Sequence, residues 1–251
     1  MKAYEIFFSP TGGTKRVADC VAAALSEAPV PVDLTVRAPA SLCLTEEDLA
    51  ILAVPSYGGR VPALAAERLA GLPGHGARAV LVCVYGNRAY EDTLAELQDL
   101  AEKAGFRVTA GIAAVAEHSI ARQYGAGRPD ADDCRQLTDF ARQIARKLAE
   151  GQNTVPALPG NRPYKKAGGA GLVPKPTGAC TACGVCAREC PARAIDPQNP
   201  KKVDGKACIS CMRCISVCPQ HARKANGLML ALVGAALKKP CAGRKENELF
   251  V

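Results

Sequence analysis

Eight of the 13 cysteines fall in two copies of one pattern. "CTACGVCARECP", from Cys180, and "CISCMRCISVCP", from Cys208, share the spacing C-x2-C-x2-C-x3-C-P. Thiolates at such short intervals are soft ligands that gather around a metal centre. Structural zinc also uses C-x2-C pairs, but it has no use for a third cysteine at the same interval, twice over and with a proline after each fourth one. Iron-sulfur clusters use that arrangement: three thiolates on a tight loop reach three irons of a cubane, and the fourth is turned away toward a second cluster. Small neighbours such as Ala182, Gly184 and Ser210 let backbone amides come close to cluster sulfurs.

A different chemistry is set up near the start. The stretch "FFSPTGGTKRVADC", Phe7 to Cys20, passes from the apolar run "AYEIFF" through Ser9, Pro10, Thr11, Gly12, Gly13 and Thr14. It then enters a segment with Val17, Val21 and Leu25 at helical spacing. Hydroxyls and free amides at a helix N-terminus hold an anion, above all a phosphate. A nucleoside triphosphate and flavin mononucleotide (FMN) both present one. A P-loop requires a lysine directly after its second glycine, whereas Lys15 follows Thr14 and only the adjacent Gly12 and Gly13 are present. The bland alternative is a glycine-rich turn that binds nothing.

The elements that must position these residues alternate. Apolar runs give strands at the start, Val30 to Val36, Leu49 to Val54, Ala79 to Val84 and Arg107 to Val115. Helical spacing marks Thr14 to Glu27, Pro62 to Ala70, Tyr90 to Ala104 and Asp132 to Glu150. The expectation is five strands and five helices in a parallel sheet covered on both faces. The loops "PSYGGRVP", "YGNRAYED" and "EHSIARQYGAGRPD" fall at carboxyl ends of strands, where such sheets bind ligands. From Gly151 the periodicity stops in a segment rich in Gly, Pro and Lys. The expected division is 1–150, a linker 151–175, the cysteine segment 176–225, and a helix and tail 226–251.

Residues 1–150, with the loop "SPTGGT", resemble flavodoxins, and 176–225 resemble bacterial two-cluster ferredoxins. As a whole the chain resembles the fused flavodoxin-ferredoxin family. The resemblance implies an α/β fold: a flavodoxin-like doubly wound five-stranded parallel sheet of order 2-1-3-4-5, with a small C-terminal α+β bacterial-ferredoxin-like domain. It implies two [4Fe-4S] clusters, one on Cys180, Cys183, Cys186 and Cys218 and one on Cys208, Cys211, Cys214 and Cys190. It implies that Ser9, Pro10, Thr11, Gly12, Gly13 and Thr14 hold the FMN phosphate. The flavin ring would lie between Pro55, Ser56, Tyr57, Gly58 and Gly59 on one side and Tyr85, Gly86, Asn87, Arg88 and Tyr90 on the other. Tyr57 and Tyr90 would cover its faces, with Arg60 and Arg88 as cations at its border.

The function so implied is electron transfer between FMN and the clusters, linking low-potential carriers in anaerobic metabolism. Two rivals stand beside it. One is a flavin-dependent reductase of a small molecule, fed by the clusters, with His118 and Tyr124 as proton donors. The other is a cluster-bearing protein that uses the first loop for ATP.

Charge is uneven: residues 1–150 carry 16 Lys and Arg against 19 Asp and Glu, and residues 151–251 carry 16 against 5. The basic part points to an acidic redox partner protein. No nucleic-acid role is expected, because no aromatic residue lies between Cys180 and Cys241 to stack on bases. The apolar run Gly227 to Leu237 is too short to cross a bilayer, so no transmembrane segment is expected. No basic leader or cleavage site opens the sequence, so a cytoplasmic location is expected, in which cysteines bind metal rather than pair. Cys20, Cys43, Cys83 and Cys134 read as small buried hydrophobes, and Cys241 as an exposed tail thiol. The histidines His75, His118 and His221 are too scattered for a metal site.

Overall fold

The computed structural model describes all residues except 38–41, 153 and 170. Its centre is a sheet of β1 (Ala3–Phe7), β2 (Val30–Asp33), β3 (Leu49–Pro55), β4 (Arg78–Tyr85) and β5 (Arg107–Val115), parallel throughout in the order β2-β1-β3-β4-β5. This is the flavodoxin-like doubly wound topology. β1 and β3 are buried almost end to end, as strands covered on both faces must be. Alternate residues feed two cores. Ile6, Leu52 and Leu81 pack on one face beneath α2 (Ala63–Ala70) and α3 (Thr93–Lys103). Ile51, Val80 and Val82 pack on the other, beneath α1 (Gly13–Leu25) and α4 (Ala131–Ala149).

Several expectations need correction. The sheet has a sixth strand, β8 (Glu248–Phe250), which returns from the tail and lies antiparallel on β5. Asn247 locks it there, accepting from the Val115 amide at 2.9 Å and donating to Asp133 at 3.1 Å. The tail is therefore part of the sheet domain, and Cys241, expected to be exposed, is buried. β2 stops at Asp33 because Leu34 to Val36 turn. Among the described residues no helix joins β2 to β3, so this domain has four helices rather than five. Cys20 on α1 and Cys134 on α4 are bonded as a disulfide with a Cα separation of 5.5 Å, because the two helices pack side by side on one sheet face.

Residues expected to be a linker lie against α3. Asp92, buried at its N-terminus, accepts from the amides of Asn161 (2.8 Å) and Lys165 (2.7 Å), and these bonds hold its carboxyl below the usual range. Arg162 pairs with Asp99 at 2.7 Å, and Leu158 packs on the core.

The cysteine segment is small. A two-stranded ladder pairs β6 (Lys175–Pro176) with β7 (Arg223–Lys224), and an isolated bridge joins Ile195 to Val203. Two single-turn helices, α5 (Val185–Arg188) and α6 (Arg213–Ser216), each carry the third cysteine of a repeat. α7 (Gly227–Leu237) follows, capped by the Asn226 side chain on the Met229 amide at 3.1 Å.

Candidate functional site

The two sequence repeats are also repeats of backbone. Left-handed residues recur at matching places: Ala182 with Ser210, Gly184 with Met212, and Arg193 with His221. In the second repeat the Ser210 amide is directed at Cys208 and the Arg213 amide at Cys211. The amides of Ala194 and Ala222, each four residues after a fourth cysteine, donate to Cys190 Sγ and Cys218 Sγ at 3.3 Å.

This folding creates two cavities. One is lined by Cys180, Cys183, Cys186 and Cys218. The other is lined by Cys208, Cys211, Cys214 and Cys190. Each brings together three thiols of one repeat and the fourth of the other. The donor set is wholly sulfur, the chemistry that iron-sulfur clusters require. Burial raises the thiols of Cys211 to about 11 and Cys214 to about 12, and also lifts Cys208. Such thiols become thiolates at neutral pH only when a metal supplies the compensating charge.

β1, flanked on both sides by other strands, ends where the strand order reverses. There Ser9 is buried, its amide donating to Thr35 Oγ1 at 2.8 Å and its hydroxyl accepting from the Lys15 amide at 2.9 Å. Gly12, left-handed at φ 88°, turns the chain into α1. The amides of Thr11, Gly13 and Thr14 meet no acceptor among the described residues. Lys15 is drawn away to Asp19 at 2.5 Å and over the Phe7 ring, leaving a cradle of amides and hydroxyls without its own cation.

Beyond β3, Tyr57 and Arg60 bridge across Gly58 and Gly59, both at positive φ, a two-residue hairpin turn. Ser56, beside Pro55, hydrogen-bonds Thr93 through their hydroxyls at 2.8 Å. The Tyr57 hydroxyl is held in its neutral form by burial and by the nearby Cys211. Arg60 is fully engaged, forked onto Glu96 at 2.7 Å and stacked over the Tyr164 ring at 4.7 Å.

The loop after β4 is turned toward the tail. Asn87 donates to the carbonyls of Cys241 and Gly243 at 2.8 Å. Tyr90 donates to Glu248 at 3.0 Å and meets Tyr85 edge to face at 5.2 Å. Arg88 pairs with Glu91 at 3.0 Å. Gly86 is backed by the His118 ring, 2.6 Å from where a Cβ would stand. His118 Nδ1 accepts from the Ile120 and Ala121 amides, and burial keeps the ring neutral. Tyr124 donates to Gly234 O at 2.7 Å. Of the residues expected around a ring, Tyr57 lies near Cys211, the rest of its hairpin meets Gly168, Tyr164 and Glu91, and Asn87 and Tyr90 hold the C-terminal tail.

Sequence reasoning missed the residues that join the halves. Arg213, between Cys211 and Cys214, donates to Pro10 O in the first loop at 3.2 Å and pairs with Glu189. Arg68 on α2 donates to Pro191 O at 2.8 Å. A signal for Arg213 existed: aligning the repeats sets it against Val185, a charge in place of an apolar residue.

A doubly wound domain with a ligand loop at its switch point, joined to a two-cavity cysteine segment, defines an electron-transfer class of protein. A family profile described as a 4Fe-4S dicluster domain matches residues 179–223. A ferredoxin-like protein in the nif region of Sinorhizobium fredii is 45% identical over 47 residues, 73% of its length and 16% of this chain. Through this segment the chain belongs to the 4Fe-4S dicluster ferredoxin-like family, here fused to a flavodoxin-like domain. A flavodoxin of Streptococcus pneumoniae TIGR4 is similar at 22% identity and a TM-score of 0.41, over 59% of this chain and 99% of that one. Flavodoxin 1 of Bacillus cereus is similar at 17% identity and a TM-score of 0.41, over 58% and 98%.

Proposed function

We propose that the chain is an electron-transfer flavoprotein that exchanges electrons between FMN on residues 1–150 and two [4Fe-4S] clusters on residues 176–225, linking low-potential carriers. FMN supplies one- or two-electron chemistry and each cluster one-electron chemistry. Ser9, Thr11 and Thr14 hold the phosphate through hydroxyls, with the free amides of Thr11, Gly13 and Thr14. Cys180, Cys183, Cys186 and Cys218 ligate one cluster, and Cys208, Cys211, Cys214 and Cys190 the other. Residues 151–175 brace the two domains rather than act as a loose tether.

The single observation that carries this reading is the direct contact between the halves at their two sites. Arg213 reaches from beside the second cysteine cavity to the phosphate loop, and Tyr57 in the loop after β3 lies near Cys211. Tyr57, half-buried and held neutral, supplies an aromatic body at that junction rather than a charge.

Anaerobic reconstitution followed by cofactor extraction and electron paramagnetic resonance tests the proposal. The expected result is FMN with two four-iron signals. In Cys218→Ala, the cluster built on Cys180, Cys183 and Cys186 is lost while the other survives. Extraction of FAD, or a zinc-loaded protein that takes up no iron, contradicts it. So does a Cys190→Ala variant that loses the cluster of its own repeat.

A further inference from the structure

The two cysteine cavities face different ways. No lining residue of the second is exposed, and the sheet domain meets it at three places: Pro191 through Arg68, Arg213 beside it through Pro10, and Ile209 against the sheet core. Met212 and Ile215 pack with Ile120 from the loop after β5. The first cavity is turned outward, and its rim residues Thr181, Ala182, Cys183, Pro219 and Gln220 are exposed.

Basic side chains border the outward face. Arg188 donates to Cys183 O at 3.4 Å, Lys201 and Lys202 follow the buried lining residue Pro200, and Lys224 follows the buried lining residue Arg223. All four are exposed, and none has a carboxylate within salt-bridge distance among the described residues. Lys224 also stands opposite Lys175 in the β6–β7 ladder, where like charges repel. From Lys175 to Ala225 there are nine Lys and Arg against three Asp and Glu. The segment stays net positive even when each oxidised cluster with its thiolates adds about −2. Unpaired like charges around the one cysteine cavity that a partner can reach are complementary to an anionic protein surface.

We infer that the rim of the first cavity, with Arg188, Lys201, Lys202 and Lys224, is the docking face for an acidic electron-carrier protein, and that the sheet domain closes the second cavity to partners. The inference rests on the electron-transfer reading above. A protein is favoured over a nucleic acid because the rim holds no aromatic side chain on which a base could stack.

Carbodiimide cross-linking tests it, applied to the full-length protein reconstituted anaerobically, with a small acidic ferredoxin as the probe. Cofactor content measured on the same sample reports on the electron-transfer reading separately from the docking map. Mass spectrometry is expected to find the cross-links at Lys201, Lys202 and Lys224. The variant K201E/K202E is expected to weaken ferredoxin binding at low salt by about tenfold or more and to flatten its salt dependence. Unchanged cluster absorbance in that variant separates lost docking from lost folding, and K201Q/K202Q gives a smaller loss in the same direction. Cross-links concentrated at Lys2, Lys103, Lys238 or Lys245 overturn the inference, as does unchanged affinity in K201E/K202E. Displacement of the ferredoxin by a single-stranded oligonucleotide at physiological salt overturns it in favour of nucleic acid.

Discussion

Across residues 1–150 the largest fully buried side chains, among them Phe8, Ile51, Leu81 and Ile144, fill both faces of the sheet, whereas residues 176–225 bury mainly Ala194, Ile195, Met212, Ala222 and cysteines. The cysteine segment also holds Ala182, Arg193, Ser210, Met212 and His221 at positive φ, each costing roughly 1–2 kcal/mol for a residue with a Cβ. A segment of about this size rarely folds on apolar burial alone. The difference teaches that the two halves are held by different forces. The sheet domain is shaped by its core and the cysteine segment by ligation, with the strain of its turns offset when thiolates meet metal.

The sharpest way to break that contrast is to take the metal away. Chelating iron under anaerobic conditions should abolish amide hydrogen-exchange protection throughout 176–225 while β1 and β3 to β5 keep theirs. A cysteine segment that stays protected without iron would show that burial suffices. The converse perturbation is Leu52→Ala, which opens a cavity in the sheet core. It should lower global stability by about 2–5 kcal/mol with iron per folded chain unchanged, as read by denaturant unfolding and metal analysis.

Two smaller effects sharpen the account of the sheet domain. Thr11→Val removes a hydroxyl from the phosphate cradle and should weaken FMN binding by about 1.5–3 kcal/mol, measured by flavin fluorescence titration, with cluster content unaffected. Glu5, buried in β1, is raised to about 7 by burial and by Asp19, with Lys15 opposing. Ionising it is unfavourable in the folded state, so its contribution to stability is full below about pH 4.5 and is lost as pH rises through about 7. Glu5→Gln should therefore flatten the pH dependence over that window, by on the order of 1–2 kcal/mol. A wild-type stability that does not fall between pH 5 and 8 relative to Glu5→Gln would contradict the assignment.

Legibility in the sequence followed the same divide. The sheet's strands were readable because β1, β3, β4 and β5 are continuous apolar runs, and the cysteine repeats because ligand spacing is a local property. β8 was not readable: "ELF" is too short to carry a period, and it is held in place by Asn247 and Asp133, far apart in sequence. The bracing of 151–175 was hidden for a similar reason, since its partners Asp92, just before α3, and Asp99, on it, bind it through backbone amides and single charges. Around the proposed flavin site, the phosphate loop was legible as a run of hydroxyls and glycines. The fates of Asn87 and Tyr90 were not, because they depend on where the tail lands. Likewise the disulfide between Cys20 and Cys134 follows from helix packing, not from any spacing.

The central claim is that the two halves work as one internal electron path, and rapid mixing under anaerobic conditions tests it most directly. The clusters of the full-length protein are reduced first by a fast one-electron donor, and flavin absorbance is then followed as a function of protein concentration. The account predicts flavin reduction at a first-order rate that does not change with protein concentration and that slows in Arg213→Gln, whose side chain no longer joins the second cavity to the phosphate loop. A rate that rises in proportion to protein concentration, or flavin reduced equally fast when the clusters are absent, would contradict it.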